Sequence, residues 1–122
     1  MRILIVDDFD VTRTIVANTL KDLGFENIFE ATNGYSALIS LKSNIFDFVI
    51  TEWDMSEMNG LELLKKIRAD PFLKHVPVLI VTEEGLTENI VSGSKAGAND
   101  FIFKPLKKEK IYEKLLRISE II

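Results

Sequence analysis

Six side chains in this sequence have the types and positions to do chemistry together: Asp7, Asp8, Glu52, Asp54, Thr82 and Lys104. Each stands at or just past the end of a short apolar run. Ile3-Leu4-Ile5-Val6 leads into Asp7-Asp8, and Phe48-Val49-Ile50 leads into Thr51-Glu52-Trp53-Asp54. Residues 77–81 lead into Thr82-Glu83-Glu84-Gly85, and Phe101-Ile102-Phe103 into Lys104-Pro105. Three carboxylates about 4 Å apart repel by about 4 kcal/mol per pair at an effective dielectric near 20. Three such pairs approach the roughly 5–15 kcal/mol that stabilises a whole domain, so a cation is expected among them. Lys104 offsets one charge; a hard divalent ion that accepts oxygen ligands and keeps some waters offsets two, which points to Mg²⁺. A carboxylate, Mg²⁺, a lysine and a hydroxyl are the parts that hold a phosphoryl group, whose transfer rests on positioning and charge neutralisation. Taken singly, these residues have plainer readings as a helix cap, a turn residue and a surface lysine. Their joint occurrence at strand ends carries the argument.

The elements that must position them follow from periodicity. Residues 10–23 place Val11, Ile15, Val16, Leu20 and Leu23 on one helical stripe that Gly24 stops. Residues 27–30 read as a short strand and Asn33-Gly34 as a turn. A second helix from Tyr35 carries Leu38, Leu41 and Ile45. A third after Gly60 carries Leu61, Leu64 and Ile67, and Asp70-Pro71 ends it because the residue before proline disfavours the helical region. A fourth helix spans 86–96 and stops at Gly97, and the last carries Ile111, Leu115, Ile118 and Ile122. Strand and helix alternate five times. Continuously apolar strands in such alternation imply a parallel sheet covered by helices on both faces. Right-handed crossovers leave few topologies, and five units of this length favour an α/β, flavodoxin-like (βα)5 fold of strand order 2-1-3-4-5. Its site lies beyond the carboxyl ends of the strands, at the switch point between the first and third, which are the two that end in acids.

Composition narrows the class. The 122 residues suit one domain over 1–122, with 47% hydrophobic and 28% charged residues and a net charge of −4. That charge argues against a general nucleic-acid or anionic-membrane binder. With no cysteine, disulfides and thiolate zinc sites are excluded. No apolar run approaches a membrane span and no signal-peptide pattern opens the chain, so a cytoplasmic protein is expected. His75, the one histidine, reads as an exposed loop residue, and Met55 and Met58 as gap-fillers. No phosphate-cradling glycine loop, dinucleotide fingerprint or Ser-His-Asp arrangement is present.

Several segments together resemble the receiver domain of bacterial two-component response regulators: Ile3 to Phe9, Phe48 to Met55, Met58-Asn59-Gly60-Leu61-Glu62-Leu63-Leu64, Val78 to Thr82, and Lys95-Ala96-Gly97-Ala98 with Lys104-Pro105. The likeness runs from Arg2 onward in the right order and spacing and is nearest to stand-alone chemotaxis regulators, so a single receiver domain without an output domain is expected. It implies a switch rather than an enzyme of the ordinary kind, since the family catalyses only its own phosphorylation and dephosphorylation. Acids at the positions of Asp7 and Asp8 help bind Mg²⁺, together with the acceptor position at Glu52 and the backbone carbonyl of Asp54. The acceptor takes its phosphoryl group from a histidine kinase or phosphotransfer protein. Residues at Thr82 and Lys104 contact the phosphoryl oxygens. An aromatic residue at Phe101 changes rotamer with Thr82, altering the face of the fourth helix, fifth strand and fifth helix on which a downstream target docks. The Lys104-Pro105 bond is expected to be cis.

The resemblance also marks three departures. Glu52 replaces the acceptor aspartate, and its extra methylene moves the carboxylate outward by roughly 1.5 Å. A misplacement of about 1 Å costs on the order of 10²-fold in a positioned reaction. Glu83 stands where a small residue follows the switch threonine and is expected to modulate the site by obstructing an incoming phosphodonor, and Ser56 stands where a proline stiffens the loop. Asp54, of the same strand parity as Glu52, is the weaker acceptor candidate because it follows Trp53 into the loop; Asp54 and Glu84 are expected to modulate the site. Two functions are therefore carried forward: a phosphorelay receiver, and a phosphorylation-independent interaction module in which Glu52 either pairs with Lys104 to fix an active-like surface or leaves the switch off; a flavodoxin-like cofactor binder is a remote third.

Overall fold

Five apolar runs pair side by side as parallel strands: β1 (Arg2–Val6), β2 (Asn27–Ala31), β3 (Phe48–Glu52), β4 (Val78–Glu83) and β5 (Asp100–Lys104). Their order across the sheet is β2-β1-β3-β4-β5, as read from the alternation. The structure, a computed structural model, describes residues 1–83 and 85–119. Glu84 and residues 120–122, among them Ile122, lie outside the described residues.

The helices α1 (Asp10–Asp22), α2 (Gly34–Ser43), α3 (Gly60–Ala69), α4 (Thr87–Ala96) and α5 (Lys108–Ser119) cover both faces. Strand side chains alternate between two cores. Leu4, Val6, Val49, Val78, Ile80 and Phe101 pack with α2, α3 and α4. Ile3, Ile5, Phe48, Ile50, Leu79, Val81 and Ile102 pack with Val16, Ala17 and Leu20 of α1 and Ile111, Leu115 and Ile118 of α5. Both faces being buried explains why every residue of β3 is buried and why its sequence is nearly continuous in apolar residues. Among the described residues no helix is long and apolar enough to cross a membrane.

Local rules set the helix ends. Asn33 and Asn59 cap α2 and α3, each accepting the N–H three residues on while Ser36 and Glu62 reach back. Gly97, at φ +102°, ends α4 in the left-handed conformation that glycine adopts without penalty. His75 is an exposed loop residue, Met58 is buried and Met55 packs at the edge of the first core. The Lys104-Pro105 peptide is cis.

Three sequence expectations are corrected. Val11 and Ile15 are 63% and 47% exposed rather than part of the buried stripe. At about 100° per residue, the buried arc of α1 is centred between Val16, Ala17 and Leu20, which turns Val11 to the opposite side. Ile45 is 84% exposed and outside α2, because Asn44 leaves the helix in an extended conformation. β4 runs on through Thr82 and Glu83, which the apolar run alone had left in the following loop.

Candidate functional site

The strand register places the chemistry on one edge. Val6 pairs with Thr51, so Asp7 follows β1 beside Glu52, and Glu52 pairs with Val81, one residue before Thr82. Glu83 pairs with Lys104. Asp7, Glu52, Thr82 and Lys104 are thus brought together by four adjacent strands. Asp8 and Asp54 are exposed at the rim, in the loops that leave β1 and β3.

Glu52 is the centre. It is 5% exposed, and its Oε1 accepts hydrogen bonds from Lys104 Nζ at 2.9 Å and from the Asp54 N–H at 3.4 Å. Burial pushes its carboxyl up from the ordinary value of 4.5. The hydrogen bond and charge of Lys104 pull it part of the way back, Asp7 pushes it up further, and the net direction is upward. On Lys104, burial acts downward but the hydrogen bond and charge of Glu52, with Glu83 and Asp7, outweigh it, so the ammonium is held more firmly than usual. The carboxylate is nearly closed off, whereas Lys104 keeps 27% of its side chain exposed and retains part of its hydration. Glu83, largely exposed, brings a second carboxylate to 3.9 Å from Nζ.

The other acids are held by protein donors. Asp7 Oδ1 accepts from the Phe9 N–H at 2.9 Å, Oδ2 from the Thr12 hydroxyl at 2.6 Å, and its carbonyl from Arg13 Nη1 at 2.9 Å. Asp8 Oδ2 accepts from both the N–H and the hydroxyl of Ser56, at 2.9 and 3.0 Å. Among the described residues no three Asp, Glu, His or Cys side chains converge into a ready metal cage. Asp7, Asp8 and Glu52 each rest on donors supplied by the protein, while the charge of Asp7 still acts on the Glu52 carboxyl. The donor set still fits a hard divalent ion. Three carboxylates and the Asp54 carbonyl are all oxygen ligands, and Mg²⁺ needs only one or two carboxylates beside its waters.

The predicted switch residues are also adjacent. Thr82 is fully buried and its hydroxyl accepts from Asn89 Nδ2 of α4 at 3.2 Å. Phe101 is buried, stacks near Phe103 with ring centres 6.5 Å apart, and lies so close to Gly93 of α4 that a Cβ there would come within 2.8 Å of the ring. Sequence reasoning singled out Ser56 only as a missing proline and passed over Thr12, Arg13 and Asn89. Their contacts depend on where loops and helices come to rest, and no local spacing announces them.

Comparison with known proteins gives the same picture. The pattern of the response regulator receiver domain matches residues 3–116. The chemotaxis protein CheY-3 of Vibrio cholerae is 52% identical over 120 residues, covering 98% of this chain and 92% of that protein. A response regulator structure from Chloroflexus aurantiacus superposes with a TM-score of 0.93 at 28% identity, covering 98% of this chain and 97% of the other. The receiver domain of a sensor histidine kinase from Pseudomonas aeruginosa superposes at 0.87 with 26% identity, covering 97% of each, and its structure carries a magnesium ion coordinated in the active site cleft. These matches place the chain in the family of response regulator receiver domains, and it resembles chemotaxis regulators of the CheY type.

Proposed function

We propose that the chain is the receiver of a two-component phosphorelay of the chemotaxis kind, signalling by docking to another protein, with Glu52 at the phospho-acceptor position. The observation that carries this reading is the buried Glu52 carboxylate, 2.9 Å from Lys104 Nζ and under the field of Asp7, at the carboxyl edge of the sheet. Asp7, Asp8, Glu52 and the Asp54 carbonyl would hold Mg²⁺, which when bound neutralises charge on a transferring phosphoryl group. Lys104 stays protonated at neutral pH and offers Nζ to a phosphoryl oxygen. Thr82 offers its hydroxyl in exchange for its bond to Asn89, and Phe101, packed between β5 and Gly93, passes the change to the face of α4, β5 and α5. The donor of the phosphoryl group is a histidine kinase or phosphotransfer protein, the target a docking partner on that face, and the setting cytoplasmic.

The Glu52–Lys104 contact supports a second reading. The carboxylate already takes the cation that a phosphoryl oxygen would use, which suits a module whose docking face is set without phosphoryl transfer. The readings share the metal site, and Trp53 reports on it, being nearly buried beside Glu52 with its N–H on the Val81 carbonyl at 2.9 Å. Titration with MgCl₂ is expected to change Trp53 emission in a saturable way. A flat titration would remove the metal from either account.

A further inference from the structure

The two Ser56 bonds to Asp8 span 48 residues and tie the loop after β3 to the loop after β1. Both donors converge on one oxygen, Oδ2, so Oδ1 is the oxygen left to a cation. The loop is shaped for this contact. Glu57, next in the chain, holds φ at +68°, and the Met58 N–H closes a three-residue turn on the Ser56 carbonyl at 2.8 Å. A non-glycine residue in that conformation is strained, and such strain persists where the surroundings over-determine it. Without Ser56, Asp8 would be an exposed carboxylate free among several rotamers, and a cation would have to order it on binding.

We propose that Ser56 is a positioning residue for the divalent cation, fixing the Asp8 carboxylate through Oδ2 so that Oδ1 is presented to Mg²⁺. This rests on the reading of the acidic edge as a Mg²⁺ site. Carboxylates that ligate metals are oriented by such outer hydrogen bonds, whose loss weakens metal binding by about 10- to 100-fold. Ser56 serves twice, through a backbone N–H that any residue but proline supplies and a hydroxyl that only serine or threonine supplies here.

The test is MgCl₂ titration of the full chain by calorimetry. Ser56→Ala, which keeps the N–H and loses the hydroxyl, is expected to weaken Mg²⁺ binding about tenfold. Ser56→Thr is expected to restore it to within about twofold, because both donors return. Binding by Ser56→Ala that is unchanged or tighter would overturn the proposal while leaving the metal site standing, as would a loss that threonine does not rescue. Absence of Mg²⁺ binding by the unaltered chain would overturn both the proposal and the metal reading beneath it.

Discussion

Lys104 and Glu52 face each other with unequal exposure, and that inequality sets how each titrates. The Glu52 carboxyl is shifted upward, so above 4.5 the folded chain holds a proton that the unfolded chain has released. Its contribution to stability is therefore greatest below that pH and declines as pH rises through its folded value. Lys104 is shifted upward as well, so its contribution is present below 10.5 and is lost above. Replacing Lys104 by methionine leaves the carboxyl buried without its cation. The expected cost at pH 7 is on the order of 2 kcal/mol, below the 3–5 of a fully buried pair because part of Lys104 remains in water. That cost should shrink as pH falls and Glu52 is neutralised, as read from urea unfolding at a series of pH values. A cost independent of pH between 4 and 8 would contradict the assignment. The residues of this pair were legible in the sequence because strand ends can be counted. The Ser56–Asp8 tie was not, because it needs two loops to meet and depends on a backbone turn at Glu57.

At the scale of elements, α3 and α4 approach the sheet through glycines, one against backbone and the other against a side chain. Gly60 opens α3 with its N–H on the Trp53 carbonyl at 2.8 Å, and a Cβ there would strike the Glu52 carbonyl oxygen and lie 3.0 Å from Trp53 Cα. At Gly93 a Cβ would meet side chains, the Phe101 ring closely and Ile80 Cδ1 at 3.5 Å, which can shift more readily than backbone. Gly60→Ala is therefore expected to destabilise by roughly 2–3 kcal/mol and Gly93→Ala by about 1, within the range for overpacking. Thermal unfolding of the two variants checks the order, and the reverse order would contradict it. Helix existence was legible from 3.6-residue spacing, yet the buried arc of α1 was misjudged. Val11 and Ile15 look like core by residue type alone, and only packing against β1 and β2 decides which arc is covered. Ile45 misled in the same way, since apolar spacing continued past Asn44 while the helix did not.

For the whole molecule, the strand order puts β1 and β3 side by side while their crossover helices lie on opposite faces, which opens a cleft at their carboxyl ends. Four strands deliver Asp7, Glu52, Thr82 and Lys104 to that edge, so topology alone assembles the site from residues up to 97 positions apart. This global arrangement was the most legible feature of the sequence, because alternating strands and helices with acids at two strand ends admit few folds. The finer geometry was less so, because Thr12 and Ser56, which hold Asp7 and Asp8, come from a helix and a loop that no local spacing brings to the edge. Phosphoryl transfer at this edge, with Glu52 at the acceptor position, is tested most directly by intact mass at neutral pH after exposure to Mg²⁺ and a small-molecule phosphodonor, for the unaltered chain beside Glu52→Asp. Glu52→Asp is expected to gain one phosphoryl group, and the unaltered chain to gain it on the order of 10²-fold more slowly. A Glu52→Asp protein that gains none would contradict the claim.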